Sequence, residues 1–184
     1  MIRVLVPLAQ GCEELEAVTI IDILVRAEIE VVTASLDDQH MIHCSRGVVL
    51  QAKTSLSEVL NQAFDMVVLP GGQPGSDNLA ADERLLELLR ATVKSGGISA
   101  AICAAPKALK AAGLLDGLKA TSYPGVLDKH PAQNMIYVNE IVVDSGSIVT
   151  SRGPGTAMDF ALHLIERLKG IESRTKVEAA LVRP

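Results

Sequence analysis

The side chains of this 184-residue chain best suited to covalent or proton-transfer chemistry are three cysteines, Cys12, Cys44 and Cys103, and the acids Glu13, Glu14 and Glu16. Cys103 stands where a nucleophile would need to be. It follows the apolar run Ile98-Ser99-Ala100-Ala101-Ile102, and Pro106 comes where the first turn of a helix tolerates a missing N–H. Ala101 and Ala105 supply the small flanks that a sharp strand-to-helix elbow requires. Sulfur at a helix N-terminus is favoured as thiolate, the nucleophilic form. The competing reading, an inert cysteine buried in an apolar strand, is common for free Cys and stays open on spacing alone.

A Cys–His pair lacks its imidazole. His40 and His43 flank a short strand, His130 precedes Pro131 on a connection, and His163 lies inside a helix. The remaining partner is a carboxyl group. Glu13, Glu14 and Glu16 open a helix, where acids complement the positive end. Glu16 differs from the others because it falls among Leu15, Ala17 and Val18, one turn before Ile20, which directs it inward. A carboxylate beside a thiolate would be repelled, so the pair should keep a proton, with protonated Glu16 donating a hydrogen bond to the Cys103 sulfur. Pro70-Gly71-Gly72, directly after Val67-Val68-Leu69, forms a tight turn whose N–H groups can approach an anion or oxyanion closely. It matches no phosphate-binding glycine fingerprint. Cys12 also follows a strand and is a candidate resolving thiol for Cys103, whereas Cys44 reads as packing.

These residues must be positioned by an α/β domain, because apolar runs of strand length alternate with stretches of helical length. The strands are expected at Arg3 to Leu8, Glu30 to Ser35, Met66 to Leu69, Ile98 to Ile102, Ile141 to Asp144 and Ile148 to Ser151. Met41 to Cys44 and Val48 to Gln51 form an expected hairpin. Helices are expected at Glu13 to Ala27, Ser57 to Leu60, Asp82 to Ser95, Pro106 to Ala112, Thr156 to Lys169 and Glu172 to Val182. Thr121 to Tyr137 reads as a long surface connection, so residues 1–184 are expected to form one domain. The Glu13 to Ala27 helix is apolar around almost its whole circumference and needs cover on two sides. A second copy of the chain or the tail helix would provide it.

Composition narrows the function classes. Hydrophobic residues make up 48% and charged residues 21%, which suits one compact core burying about 70% of the extended chain's surface. Aromatics at 2% and a net charge of −5 argue against base-stacking platforms and against a dedicated nucleic-acid surface. No uncharged apolar run reaches membrane-span length. An odd cysteine count without CxxC spacing excludes a disulfide framework and a zinc ribbon, and implies a reducing compartment. The start, Met1 to Ala9, is too short in its apolar part for a secretion signal and runs into Glu13-Glu14, so a cytoplasmic location is expected.

Five blocks in order resemble the ThiJ/PfpI superfamily, specifically its YajL-like branch. They are Gly11-Cys12-Glu13-Glu14-Leu15-Glu16, Cys44-Ser45-Arg46-Gly47, Val68-Leu69-Pro70-Gly71-Gly72, Ala100-Ala101-Ile102-Cys103-Ala104 and Ser151-Arg152-Gly153-Pro154-Gly155-Thr156. The resemblance implies a flavodoxin-like, Rossmann-like three-layer sandwich with a mostly parallel central sheet flanked by helices, assembled as a homodimer. It places the reactive cysteine at Cys103, its glutamate partner at Glu16 and backbone donors at Gly71, Gly72 and Ala104. Asp22, Arg26 and Arg46 match charged positions at the dimer interface, and Tyr123 and Cys12 line the pocket. The implied activity is a cofactor-independent, cysteine-dependent glyoxalase or deglycase. It would act on methylglyoxal, glyoxal and their early adducts on proteins and nucleotides, in protection against oxidative and carbonyl stress. The alternative implied is a redox sensor or redox-activated chaperone whose cysteine is oxidised to sulfinic acid, and a noncatalytic binding domain is the third. Two departures bear on the chemistry. Ala104 stands where the protease-like branch has His, which argues against a peptidase, and Tyr123 stands where the human branch member has His.

Overall fold

The computed structural model describes residues 1–183. In chain order the elements are β1 (Arg3–Leu8), α1 (Glu14–Arg26), β2 (Glu30–Ser35), β3 (Met41–His43), β4 (Val49–Gln51), β5 (Thr54–Ser55), α2 (Leu56–Val59), β6 (Met66–Leu69), α3 (Gly75–Ala81) and α4 (Glu83–Lys94). They continue with β7 (Ile98–Ile102), α5 (Pro106–Ala111), β8 (Lys119–Ala120), β9 (Ile136–Tyr137), β10 (Val142–Asp144), β11 (Ile148–Ser151), α6 (Ala157–Lys169) and α7 (Ile171–Ala180). Seven strands form the central sheet in the order β10-β11-β7-β6-β1-β2-β5. Every neighbouring pair is parallel except β10 with β11 at one edge.

Strand β1 shows why the sheet needs helices on both faces. Val4, Val6 and Leu8 join one apolar core, and Leu5 joins the other. A strand buried on both sides reads as an unbroken apolar run rather than an alternation. Helices α1 and α6 cover the first face, with Ile20, Leu24, Phe160 and Leu164 fully buried; α4 and α5 cover the second through Leu85, Leu89 and Leu109. The result is the expected three-layer sandwich, and aliphatic side chains fill it almost alone.

Several local expectations change. Helix α1 begins at Glu14 because Glu13 caps it, accepting a 2.7 Å bond from the Glu16 N–H. Helix α7 packs on α6 and leaves Leu15, Val18 and Val25 of α1 about half exposed, so the tail helix is not the second cover of α1. Residues 121–137 are not a surface connection throughout. Thr121, Ser122 and Leu127 are fully buried, and β9 at the end of that segment pairs in parallel with β8. Helix α3 has no apolar periodicity to announce it and is secured by the burial of Leu79 against α5.

Candidate active site

The carboxyl ends of β1, β6, β7 and β11 lie along one edge of the sheet because these strands are parallel neighbours. The chain leaves β1 toward β2 on one side, while β6 leads to β7 on the other, so a crevice opens between β1 and β6. Such a switch point is where open α/β sheets bind ligands. Glu16 follows β1, Gly71 and Gly72 follow β6, and Cys103 follows β7.

Cys103 has φ +64, a left-handed conformation that is uncommon for a residue with a side chain and belongs to the elbow. Its backbone is fixed from two sides. The Cys103 N–H donates to Ser151 O at 3.1 Å, and Cys103 O accepts from the Tyr123 N–H at 2.8 Å. Pro106 occupies the start of α5 as expected. The cysteine is 8% exposed, which leaves it reachable, whereas Glu16 is 0% exposed.

Glu16 Oε2 accepts a 2.8 Å bond from the Gly71 N–H. Oε1 is buried without a hydrogen-bond partner, and Oε2 and the Cys103 side chain converge on the bare face of Gly71. Gly71 makes the juxtaposition possible: a Cβ there would lie 2.6 Å from Cys103 Cβ and 2.7 Å from Glu16 Oε2. Burial raises Glu16 to about 7, against the opposing effects of the Gly71 N–H and Cys103. Burial, then the Glu16 charge, raises Cys103 to about 12, while the Ala104 and Gly72 N–H groups act the other way. A thiolate at the elbow therefore depends on Glu16 holding the proton, and the helix end alone does not secure it.

Three expected roles need restating. The Gly71 N–H donates to Glu16 and is not free for an oxyanion, whereas those of Gly72 and Ala104 act to lower Cys103 against its burial. Cys12 Sγ lies 3.5 Å from Cys44 Sγ, so its sulfur neighbour is Cys44 and not Cys103. Glu14 is more than a helix-end acid. It is buried and accepts from the Arg46 N–H at 2.9 Å, the Val48 N–H and the Ser45 hydroxyl, tying the β3–β4 hairpin to α1. Burial opposes its ionisation, yet those bonds hold it below the ordinary carboxylate range.

Tyr123 is half exposed, with its ring against Gly153, and reaches Cys103 through the backbone. Asp22 and Arg26 form an exposed 2.6 Å ion pair on α1, and the Arg46 side chain is also exposed. His163 bonds Asp144 at 2.8 Å, at the end of the sheet opposite Cys103. Among the described residues no group of three or more His, Cys, Asp or Glu is placed to hold a metal ion. No helix among them is long and apolar enough to cross a membrane.

The elbow cysteine, the buried carboxyl and the glycine turn on a doubly wound sheet define a class, and comparison with known proteins agrees. The DJ-1/PfpI family model matches residues 2–167, and the chain belongs to that family. It is 42% identical over 179 residues to protein dj-1beta of Drosophila melanogaster, covering 97% of this chain and 95% of that one. The crystal structure of Drosophila melanogaster DJ-1beta superposes with a TM-score of 0.95 at 41% identity, covering 100% of this chain and 98% of that one. The glutathione-independent glyoxalase DJR-1.2 of Caenorhabditis elegans is 37% identical over 163 residues, 89% of this chain and 86% of that one.

Proposed function

We propose that the protein is a cysteine-dependent glyoxalase that converts methylglyoxal to lactate and glyoxal to glycolate, and that takes their early adducts on proteins and nucleotides as further substrates. The observation that carries this reading is the buried Glu16 carboxyl, with Oε2 held by Gly71, Oε1 without a partner, and Cys103 against the same bare face of Gly71. The relatedness to a glyoxalase supports it.

With the proton on Glu16, the Cys103 thiolate adds to the aldehyde carbon. The oxygen that gains charge is stabilised by the Gly72 and Ala104 N–H groups and receives the Glu16 proton. Glu16, now a carboxylate, removes the hydrogen of that carbon as a proton while the ketone oxygen takes up a proton to give an enediol. Protonation of the neighbouring carbon and loss of the hydroxyl proton on the former aldehyde oxygen complete the isomerisation. The former aldehyde carbon is thereby oxidised to a thioester while the ketone carbon is reduced, with no external electron carrier. Water cleaves the thioester, releases lactate and restores the thiol.

A time course of methylglyoxal loss and lactate gain tests the scheme. Cys103→Ser should abolish both, and Glu16→Gln should slow turnover by roughly 10²–10⁴-fold with an unchanged far-ultraviolet spectrum. Wild-type consumption by Cys103→Ser would overturn it. The reading includes a homodimer, supported by the uncovered Leu15, Val18 and Val25 of α1 with the Asp22–Arg26 pair on the same exposed side and Arg46 on the tethered hairpin.

A further inference from the structure

The proposed mechanism uses one cysteine and leaves two unexplained. Cys12 and Cys44 come from segments 32 residues apart in sequence, yet their sulfurs lie 3.5 Å apart. Backbone bonds bracket the pair, from the Gly11 N–H to His43 O and from the Ser45 N–H to Cys12 O, both 2.8 Å. Glu14 adds a third tie through the Arg46 N–H. A disulfide needs a sulfur separation of about 2.05 Å, so the two side chains must close by roughly 1.5 Å while the chains carrying them stay in place. Cys44 is 8% exposed and Cys12 0%, so Cys44 is the member of the pair nearer to solvent.

We propose that Cys12 and Cys44 form a second redox site, which closes an intrachain disulfide under hydrogen peroxide independently of Cys103. The Cys44 thiolate attacks a peroxide oxygen and the O–O bond breaks. This yields a Cys44 sulfenic acid, and the departing hydroxide takes a proton to become water. The Cys12 thiolate then attacks the Cys44 sulfur, forms the S–S bond and expels the sulfenic oxygen, which takes a second proton as water. Two thiols lose two electrons and one peroxide becomes two waters. Because Cys12 is already in contact, the sulfenic acid is captured before a second peroxide can carry it further up the oxidation ladder. Cys103 has a carboxyl group as its neighbour and lacks this protection. Burial raises both thiols of the pair, which lowers their thiolate fraction and slows their attack on peroxide. The bridge would clamp the hairpin carrying Arg46 to the turn that packs against Gly72.

Intact-mass measurement and peptide mapping after graded hydrogen peroxide, followed by dithiothreitol, test the proposal on wild type, Cys103→Ser and Cys12→Ser. Cys103→Ser should lose about 2 Da, yield a Cys12–Cys44 linked peptide and regain its mass on reduction. Cys12→Ser should lose the bridge and accumulate oxygen on Cys44. Mapping wild type reads the bridge directly, so the result does not depend on a variant folding. A Cys12–Cys103 linkage, or an unbridged Cys12 and Cys44 after Cys103 is fully oxidised, would overturn the proposal. Neither result bears on methylglyoxal turnover, so the two readings fail separately.

Discussion

Glu16 and Cys103 titrate as one unit, and this has a measurable sign. At low pH both are protonated and the thiol is inert. Burial holds Glu16 up at about 7, so the first proton leaves the pair near that pH, mainly from the carboxyl group, and the reactive thiolate–carboxylic acid form is a fixed minor share of the one-proton state. We therefore expect kcat/KM for methylglyoxal to rise roughly tenfold per pH unit below about 7 and to level off above it. In Glu16→Gln the break should move upward, because the thiol must then ionise alone in a buried site; an unmoved break would remove Glu16 from the proton count. Both residues were legible in the sequence, Cys103 from its small flanks and Pro106, Glu16 from its apolar neighbours. The Cys12–Cys44 contact was not, because it depends on how the β3–β4 hairpin folds back against the end of β1. No local spacing encodes that.

Among the elements, the turn after β6 sets the geometry. Gly71 presents a bare face to Cys103 and Glu16, and a Cβ at 2.6–2.7 Å from both would force them apart. Gly71→Ala should leave the sheet intact and lower kcat by about 10²-fold, the usual effect of an ångström-scale misplacement. Retained turnover would mean that the carboxyl and the sulfur need not be adjacent. Gly72 is constrained differently, by φ +97 and by a Cβ position 2.3 Å from the Glu13 N–H nitrogen. The long strands and amphipathic helices were legible because burial on one or two faces writes a periodic pattern. Helix α3 and the two-residue strands β8 and β9 were not, since tertiary packing and not propensity holds them. The burial of Thr121 and Ser122 went unseen for a similar reason: two hydroxyl residues beside a proline read as exposed.

For the whole molecule, the open question that the sequence posed about α1 becomes sharper. Leu15, Val18 and Val25 are 51%, 47% and 52% exposed at positions that repeat along one side of the helix, and Asp22 lies between them. Such a stripe on a helix already packed by its other face is costly to leave in water. Val18→Asp should turn a dimeric mass by light scattering into a monomeric one at micromolar concentration, with the far-ultraviolet spectrum preserved; a wild type already monomeric would refute the dimer. Composition also acquires an optical meaning. With no tryptophan and two tyrosines, the emission of the native protein comes from Tyr123 and Tyr137. Tyr123 is held to Cys103 by its backbone, and the Tyr137 hydroxyl donates to Ser122 O next to it. We therefore expect tyrosine emission to change when Cys103 reacts, and an unchanged spectrum would show that neither ring senses the elbow.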